Sequence, residues 1–502
     1  MPLSGNLYDA IAYPTHPQQA LHPDHLAGIG LLHGVACAPV TAARILEIGC
    51  GNGANLVPMA AAYPGATFVG LDASGAAIGL AQEFALRCDL KNIRFVAARL
   101  EEHPLPEAGF DYVLCHGVYS WVPDSVREAL LRVVARCLAP EGIAFISYNA
   151  LPGWHLRQPV RDLMRWHLRG IDDAAEQMVE AQSFARFLSK AIPDEGAAGR
   201  ALRAEFATVA DRTPQVVWHD ELAPEHRAFY LHEFVSAAAS HGLVYLADAD
   251  LIEHLLANLD PQTASSLGAV ASDRIELEQY ADILVPRRFR QTLLVRSGRT
   301  VEAADPGRLA TAWFSAGRSL SEAASGPGPV TAVRFEMKGG QSLTTSFGPG
   351  IHALRHLMAA APRRLAFGEL VGLIGGEGAW KAADLLRFLF ESAAGGAVEW
   401  TAFGPGPARL PGERPIALAA ARVLAESSSE LPTASHRMIQ FPDLRTRQLL
   451  GLCDGTRTQD QLLLAMNGTR SAESASGDAP IPNREELDAL LGHLGKLGFF
   501  VG

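Results

Sequence analysis

Short apolar runs alternate with amphipathic segments over about the first 150 residues of the chain. Five runs, at residues 44–48, 67–71, 93–96, 110–115 and 143–146, contain mainly β-branched, aliphatic and aromatic residues. Strands buried on both faces read as such continuous runs, whereas a surface helix carries apolar residues three and four positions apart. Because segments of helical composition separate the runs, the pattern predicts an α/β fold with a Rossmann-like sheet.

The alternation is interrupted after the fifth predicted strand. Residues 159–206 show apolar positions at helical spacing, and two later runs, at residues 243–246 and 290–295, are typical of closing strands. We therefore expect a first domain over residues 1–300. It would contain a helical insertion at about 155–215 that serves as a lid or as the contact of a homodimer.

Two small helix-rich modules of winged-helix type are predicted after the first domain, at residues 301–410 and 411–502. The predicted elements are strands at 331–337 and 342–347, helices at 351–361, 367–374 and 382–394, and a final helix that ends just before Gly502. Segments rich in glycine, proline and serine at residues 325–329 and 471–482 are predicted to be loops. Neither module carries a dense Lys/Arg helix, so we interpret both as protein-interaction or substrate-presenting domains.

Composition narrows the class of protein. The 502 residues carry 43 basic and 54 acidic side chains, a formal net charge of −11, which disfavours a nucleic-acid partner. The six cysteines form no C-x-x-C pair, so no metal site and no disulfide framework are expected. The N-terminus lacks a basic stretch followed by an apolar run, and the longest apolar run, at residues 27–40, is interrupted by His33. We expect a cytoplasmic protein without a membrane span.

A glycine loop follows the first predicted strand. Its pattern is E-x-G-x-G-x-G, with Glu47 before Gly49, Gly51 and Gly53 and with Cys50 inside the loop. Glycines allow a ligand to approach the backbone closely, and the helix that follows presents free N–H groups to it. The spacing also fits the looser fingerprint of nicotinamide cofactors, so the loop alone predicts a nucleotide-like cofactor without choosing one.

The second predicted strand ends at Asp72, followed by Ala73. A carboxylate at this position can accept both hydroxyls of a ribose, which again suits a nicotinamide cofactor or S-adenosylmethionine. The fourth strand opens with Phe110-Asp111, and residues 137–146 contain a helix end, an L-x-P-x-G turn and the fifth strand. With these features the chain resembles the class I S-adenosylmethionine-dependent methyltransferases.

That resemblance implies S-adenosylmethionine as the cofactor and S-adenosylhomocysteine as the product. It also implies an acidic residue after the third strand that contacts adenine, and here Arg99 occupies that position. Leu100 could then hold the adenine through its backbone, or Glu101 could replace the missing acid. His116, at the end of the fourth strand, is expected to contact the methionine part of the cofactor or to take part in proton transfer.

A closer resemblance covers most of the chain. Distinctive segments lie at residues 8–17, 116–123, 148–154, 229–234 and 288–292. Together they resemble bacterial methyltransferases with a methyltransferase regulatory domain, among them the rickettsial protein lysine methyltransferases. The resemblance is specific for the architecture and less specific for the substrate.

Aromatic residues concentrate after the fourth and fifth strands, where the methyl acceptor is expected. The catalytic candidates there are Tyr119, Tyr148 and His116, and the candidates for binding the substrate are Trp121, Asn149, Trp154 and Tyr13. A group of π faces suits a cationic amine, and burial would lower the pKa of a lysine enough to make a dedicated base unnecessary. Alternatively, the rings pack beneath the insertion, and the N-terminal segment with Tyr13 is a surface strap instead of a cover for the cofactor.

Three functions remain open from the sequence. The first is a protein lysine N-methyltransferase, the second a small-molecule O- or N-methyltransferase, and the third a cofactor-binding regulatory protein without turnover. The intact glycine loop disfavours the third, and the length beyond the first domain favours a macromolecular acceptor. The fourth strand is followed by neither an N/D-P-P-Y motif nor a Pro-Cys pair, so amide or adenine N-methylation and cytosine C5-methylation are not expected.

Overall fold

The computed structural model describes Tyr13 and residues 15–101, 108–257, 259–317, 319–323, 332–376, 380–468 and 483–502. Several predictions fall outside these residues: residues 8–12 and Pro14 of the N-terminal motif, and the loops at 325–329 and 471–482.

One seven-stranded sheet forms the centre of the first domain. Its strands are β1 Arg44–Ile48, β2 Thr67–Asp72, β3 Ile93–Ala97, β4 Phe110–Cys115, β5 Leu138–Asn149, β6 Leu243–Asp248 and β7 Phe289–Arg296. Their order is β3-β2-β1-β4-β5-β7-β6, and β7 runs antiparallel to both of its neighbours. The predicted α/β sheet is confirmed. Because the strand order reverses between β1 and β4, the crevice at their carboxyl ends is the expected ligand site.

Helices cover both faces of this sheet. They are α1 Pro23–Leu32, α2 Leu56–Ala62, α3 Gly75–Arg87 and α4 Asp124–Cys137 in the first half of the domain. The side chain of Ser74 accepts a hydrogen bond from the backbone N–H of Ala77 and so caps α3 directly behind Asp72. This cap fixes the start of α3, and with it the turn that carries the carboxylate.

Helices also form the insertion that the sequence predicts. It consists of α5 Gln158–His167, α6 Ala174–Ala191, α7 Gly196–Ala210, the short α8 Pro214–Val217 and a π-helical turn, Trp218–Leu222. These helices enclose an apolar core of their own, which includes Met164, Ala185 and Phe206. The helical stretch predicted at 159–206 is therefore three helices, and the insertion continues past residue 215 to the π-helical turn. The first domain is completed by α9 Leu231–Ala239, α10 Ile252–Ala257, α11 Pro261–Val270 and α12 Arg274–Leu284.

The middle module combines two small sheets with three helices. Its elements are β8 Trp313–Ala316, β9 Ser321–Glu322, β10 Val333–Glu336, β11 Ser342–Thr345, α13 Gly348–Ala360, β12 Leu365–Ala366, α14 Phe367–Ile374, α15 Ala382–Ala394 and β13 Val398–Thr401. The three predicted helices are confirmed, and the two predicted strands are shorter than expected. The sequence did not predict β8, β9, β12 and β13. The two predicted strands form a hairpin around Gly339-Gly340, whereas the missed strands pair with partners farther along the chain and have no short turn motif between them.

The C-terminal module contains α16 Ala419–Leu424, β14 Glu430–Pro432, β15 Met438–Gln440, α17 Leu444–Leu452, α18 Gln459–Gly468 and α19 Arg484–Lys496. The prediction that the last helix ends just before Gly502 is wrong. Gly498 adopts φ +88° and turns the chain, so that Phe499 and Phe500 are buried and Phe500 forms bridges with Arg409 and Ala417.

The three parts share one apolar core. A single cluster of buried side chains includes Leu56 and Phe68 of the first domain, Phe314 of the middle module and Leu431 of the C-terminal module. Arg364 of the middle module also forms an ion pair of 2.8 Å with Asp24 of α1. The two modules therefore pack against the first domain through α1, α2 and the main sheet. The exact boundaries 1–300, 301–410 and 411–502 stay predictions.

Candidate active site

A cavity of about 1040 Å³ lies at the carboxyl ends of β1 and β4. Its walls come from the glycine loop, the ends of β2, β4 and β5, the N-terminal segment and the helical insertion. The lining includes the predicted residues Tyr13, Glu47, Gly49, Cys50, Gly51, Asp72, Ala73, Arg99, Leu100, His116, Trp121, Asn149 and Trp154. Most of the residues predicted from the sequence are therefore brought together at one site.

The glycine loop has a backbone that only glycine adopts easily. Gly49, Gly51 and Gly53 have φ values of +78°, +53° and +76°. A Cβ on Gly49 would also collide with Val118, and one on Gly53 would lie 2.9 Å from Cζ of Phe95. Gly53 was predicted to bind the cofactor, but it packs on the inner side of the loop and does not line the cavity. Its role is to let the loop approach β3.

Glu47 lines the cavity and has one unpartnered carboxylate oxygen. Its Oε1 accepts a hydrogen bond of 3.0 Å from Nδ2 of Asn55, while its buried Oε2 has no hydrogen-bond partner among the described residues. Burial raises the pKa of Glu47 to about 8, the Asn55 bond opposes this rise, and the nearby Asp72 adds to it. A buried acceptor without a donor fits a ligand that carries an ammonium group, as the methionine part of S-adenosylmethionine does.

Asp72 is held by backbone groups on both sides. Its Oδ2 accepts from N–H of Gly51 at 2.9 Å, and its Oδ1 accepts from N–H of Ser74 at 2.8 Å. Each carboxylate oxygen keeps a second lone pair, so both can still accept a hydroxyl. The fixed carboxylate of Asp72 can therefore accept both hydroxyls of a ribose. The residues expected near the adenine, Arg99, Leu100 and Glu101, line the same cavity.

His116 is a neutral ring in the cavity wall. Its Nδ1 lies 3.1 Å from Oγ of Ser147, and that hydroxyl accepts the N–H of Gly117 at 2.9 Å. Burial lowers the pKa of His116 to about 4, and the neighbouring His16 lowers it further. Because the Ser147 hydroxyl can donate to Nδ1, this pairing favours a hydrogen on Nε2.

Tyr119 and Tyr148 are not brought to the cavity. Both are buried in an apolar cluster, in which Tyr148 stacks on Phe234 at 4.2 Å and Tyr119 packs 5.0 Å from Phe229. Burial raises the pKa of both hydroxyls, that of Tyr119 to about 12. Alternate residues of a strand point to opposite faces, so Asn149 faces the cavity while Tyr148 faces away. We therefore do not propose these tyrosines as catalytic residues.

Two tryptophans in the wall of the cavity pack against each other and against a histidine behind them. The rings of Trp121 and Trp154 meet edge to face at 6.2 Å, and the His226 ring lies 4.7 Å from the first and stacks 4.6 Å from the second. Asn149 donates through Nδ2 to Nε2 of His226 at 3.0 Å. Burial, together with Arg161 and Arg127, lowers the pKa of His226 to about 3, so the ring stays neutral. Nothing in the sequence around His226 indicated this contact.

The helical insertion contributes a wall with charged groups. Its π-helical turn places His219 and Asp220 in the lining, and such turns occur frequently at functional sites. Arg212 donates through Nη1 to Oδ2 of Asp220 at 2.8 Å. Burial raises the pKa of Asp220 to about 6 although Arg212 lowers it. The ring of Tyr13 lies 5.3 Å from that of His219, so the N-terminal segment meets the insertion at the cavity.

The sequence reasoning missed this wall. It predicted a lid or a dimer contact for the insertion and named none of its polar residues as site residues. The π-helical turn has no period of its own to reveal it, and Asp220 lies far along the chain from the glycine loop. The adjacent His219 and Asp220, two ionisable residues within a predicted helical insertion, were the one feature of the sequence that could have indicated a site here.

Three families match successive parts of the chain. A methyltransferase domain matches residues 45–142, a predicted methyltransferase regulatory domain matches residues 213–296, and the C-terminal winged helix domain of PKMT matches residues 413–495.

In the part of the chain that the structure describes, no helix combines the length and the apolar character needed to span a membrane.

Among curated proteins, RP789 of Rickettsia prowazekii is 37% identical over 290 residues, which are 58% of this chain and 52% of that protein. RP028 of the same organism is 32% identical over 232 residues, 46% of this chain and 93% of that protein. The chain thus aligns with about half the length of RP789 and almost all of RP028.

Among solved structures, PKMT2 from Rickettsia typhi superposes with a TM-score of 0.82 at 23% identity, over 98% of this chain and 100% of that one. Its complex with AdoHcy superposes with a TM-score of 0.81 over the same shares. At this identity the similarity shows the fold, including the order of all three parts.

These matches resolve the choice that the glycine loop left open. The nicotinamide alternative is dropped, and S-adenosylmethionine is the cofactor whose ammonium and ribose suit Glu47 and Asp72. The chain belongs to the S-adenosylmethionine-dependent methyltransferases that combine a Rossmann-like catalytic domain with a methyltransferase regulatory domain and a PKMT-type C-terminal winged helix.

Proposed function

We propose that this methyltransferase acts on the amino group of lysine side chains in protein substrates. The observation that carries the proposal is the combination, in the cavity that contains Glu47 and Asp72, of two tryptophan rings and the Asp220 carboxylate. Aromatic faces and a carboxylate attract an ammonium group. The chain's resemblance to the rickettsial protein lysine methyltransferases agrees with this acceptor.

The size of the cavity supports two reactants. A pocket for a single small ligand is usually ~300–1,000 Å³. The cavity of about 1040 Å³ is slightly larger than this range, so it has room for a side chain beside the cofactor. A lysine side chain is long and unbranched, and it can enter such a site while the rest of its protein stays outside.

The charges in the wall disfavour an acidic acceptor. Arg157 pairs with Glu205 and Glu221. Arg288 also pairs with Glu205. Protein carboxylates already pair with these two lining arginines, so the arginines offer little to a carboxylate substrate.

We propose distinct roles for the site residues. Glu47, Gly49, Cys50, Gly51, Asp72, Ala73, Arg99, Leu100 and His116 hold the cofactor, and Tyr13, Trp121, Asn149 and Trp154 surround the acceptor. Bound S-adenosylmethionine supplies a methyl group on a positively charged sulfur, so the protein mainly has to align the acceptor with it. Asp220 orients the ammonium and can accept its proton at a carboxylate oxygen, since a pKa of about 6 leaves it ionised at neutral pH.

A small-molecule acceptor is the competing function. The fatty-acid O-methyltransferase of Mycolicibacterium smegmatis is 31% identical over 156 residues, 31% of this chain and 52% of that protein. That similarity favours a metabolite acceptor and would place the methyl group on oxygen.

We further propose that the protein is cytoplasmic, that its macromolecular substrates are proteins and not nucleic acids, and that it forms a homodimer through the insertion.

Methyl-labelled S-adenosylmethionine distinguishes these functions. The purified protein is incubated with labelled cofactor and a lysate of the native cell, and the label is followed into protein and low-mass fractions. We expect label in protein that survives mild base and is recovered as methyllysine after hydrolysis. The Asp72→Ala variant is the control for enzyme-dependent transfer. Label found only in low-mass material, or as base-labile methyl ester, would reject the lysine proposal.

A further inference from the structure

The β14–β15 hairpin of the C-terminal module reaches the cofactor region through one histidine. His436 lies in the hairpin turn with φ +59°, a left-handed conformation that residues other than glycine rarely adopt, and it is 2% exposed. Its N–H donates to the carbonyl of Thr433 at 2.9 Å, and the N–H of Thr433 donates to the carbonyl of Arg437 at 2.8 Å. These hydrogen bonds fix the turn so that the imidazole of His436 is buried against the first domain.

The imidazole contacts the residue that holds Glu47. Nε2 of His436 lies 2.7 Å from Oδ1 of Asn55, and the backbone N–H of Gln18 donates to the same oxygen at 3.1 Å. A backbone N–H can only donate, so this atom of Asn55 is the amide oxygen and Nε2 of His436 carries a hydrogen. The Asn55 amide group must then direct its NH₂ to Oε1 of Glu47, at 3.0 Å.

The result is a one-way chain of donors from the C-terminal module to the cofactor cavity. His436 donates to Asn55, and Asn55 donates to Oε1 of Glu47. With Oε1 occupied, the unpartnered Oε2 is the oxygen left for a ligand in the cavity. Rotation of the carboxylate would cost a buried hydrogen bond, so its orientation is held before the cofactor binds.

Neutral donors suit this position. Burial holds the pKa of His436 well below its usual value, and the nearby His22 lowers it further. The His22 ring lies 5.2 Å away and accepts the N–H of Asp24 through Nδ1. A lysine or arginine in place of His436 would bring a positive charge close to Glu47 and compete with the ammonium of the cofactor, whereas a neutral imidazole leaves the carboxyl group of Glu47 free to ionise when the cofactor binds.

We propose that His436 is a positioning residue for S-adenosylmethionine, acting through Asn55 on Glu47, and that the C-terminal module is thereby part of the cofactor site. The inference rests on Glu47 as the cofactor contact and is independent of the identity of the acceptor. It gives a winged-helix module a role that requires neither nucleic acid nor a partner protein.

Calorimetry with S-adenosylhomocysteine on the full-length protein tests the proposal without any acceptor. We expect His436→Ala to weaken binding about tenfold, as the loss of a hydrogen bond that supports a charged group predicts. Turnover at saturating cofactor, once an acceptor is available, should fall much less, so that KM for the cofactor changes and kcat does not.

Leu431→Ala is the matched control. Leu431 is fully buried in the same hairpin but belongs to the apolar core. We expect this variant to lower the thermal unfolding midpoint at least as much as His436→Ala while its affinity stays within about twofold of wild type. Asn55→Ala should weaken binding as much as the double variant Asn55→Ala/His436→Ala. The two losses should not add, because His436 acts on Glu47 only through its hydrogen bond to Asn55.

A second substitution covers the case in which His436→Ala does not fold. His436→Asn keeps a donor and tolerates a positive φ, and we expect its affinity to lie between those of wild type and Asn55→Ala. Wild-type affinity in His436→Ala, equal affinity losses in His436→Ala and Leu431→Ala, or additive losses in the double variant would each overturn the proposal. None of these results depends on whether lysine is the acceptor.

Discussion

The two sides of the cavity are assembled differently. On the cofactor side, Glu47, Gly49 and Asp72 come from two consecutive strands and the turns that follow them. On the proposed acceptor side, Trp154 and Asp220 come from segments that meet only because the insertion folds back over the sheet. One side is a local motif, and the other exists only in the tertiary structure.

This difference follows from what each side must recognise. The cofactor is the same throughout the class, and a strand–loop–helix unit provides its contacts from nearby residues. The acceptor differs between proteins of one fold, and its contacts come from inserted segments on a shared scaffold. If this division is correct, substitutions on the cofactor side should weaken binding of the cofactor, and substitutions on the acceptor side should impair use of the acceptor without changing the affinity for the cofactor.

Asp72→Ala should produce the largest effect. It removes two charge-assisted hydrogen bonds to the cofactor, each worth ~1.5–3 kcal/mol, so S-adenosylhomocysteine should bind about a hundredfold more weakly or worse. Calorimetry measures this affinity, with Asp194→Ala, an exposed aspartate of the insertion, as the control. A dissociation constant within threefold of wild type would remove Asp72 from the cofactor site.

Asp220→Asn should act on the opposite side. The amide keeps the size of the side chain but removes the charge, so kcat/KM for a lysine peptide should fall about 30-fold, or ~2 kcal/mol. The affinity for S-adenosylhomocysteine should stay within twofold. Asp211→Asn, an exposed position on the same insertion, is the control. Equal losses in both quantities would show that the two sides are not separable.

Trp121→Leu should have a smaller effect on the acceptor. It removes an aromatic face that would contact the ammonium, and we expect kcat/KM to fall about tenfold, whereas Trp121→Phe should recover most of the loss. Trp166→Leu changes a tryptophan that is 60% exposed on α5 and should leave kcat/KM unchanged. If leucine and phenylalanine at position 121 behave alike, the ring contributes only packing.

The pH dependence of cofactor binding should be the smallest effect. Burial raises the pKa of Glu47 to about 8, so the free protein is mostly protonated there at pH 7, while a cationic ligand favours the ionised form. Affinity should therefore rise about fivefold from pH 7 to pH 8, as the ionised fraction grows from about one tenth to one half. Binding should release a proton, which calorimetry in two buffers detects, and Glu47→Gln should abolish both effects.

Prediction from the sequence was accurate where periodicity and motif agree. The seven strands of the main sheet, the three helices of the middle module and the clustering of Glu47, Gly49 and Asp72 were all expected. It was poor for the short strands β8, β9, β12 and β13, which pair with partners farther along the chain than the β10–β11 hairpin does and have no short turn motif between them. It also placed Tyr148 at the acceptor, although the alternation along β5 that brings Asn149 to the cavity directs Tyr148 into the core.

The sequence by itself determined the fold class and the kind of cofactor, because both depend on contacts between residues that are close along the chain. Only the tertiary structure decided which aromatic residues face the cavity, which carboxylate of the insertion joins them, and that His436 supports Glu47 through Asn55. Those contacts join segments far apart in the chain, and their geometry depends on how separate layers pack. Packing depends on the shape of the whole core, which no local pattern encodes.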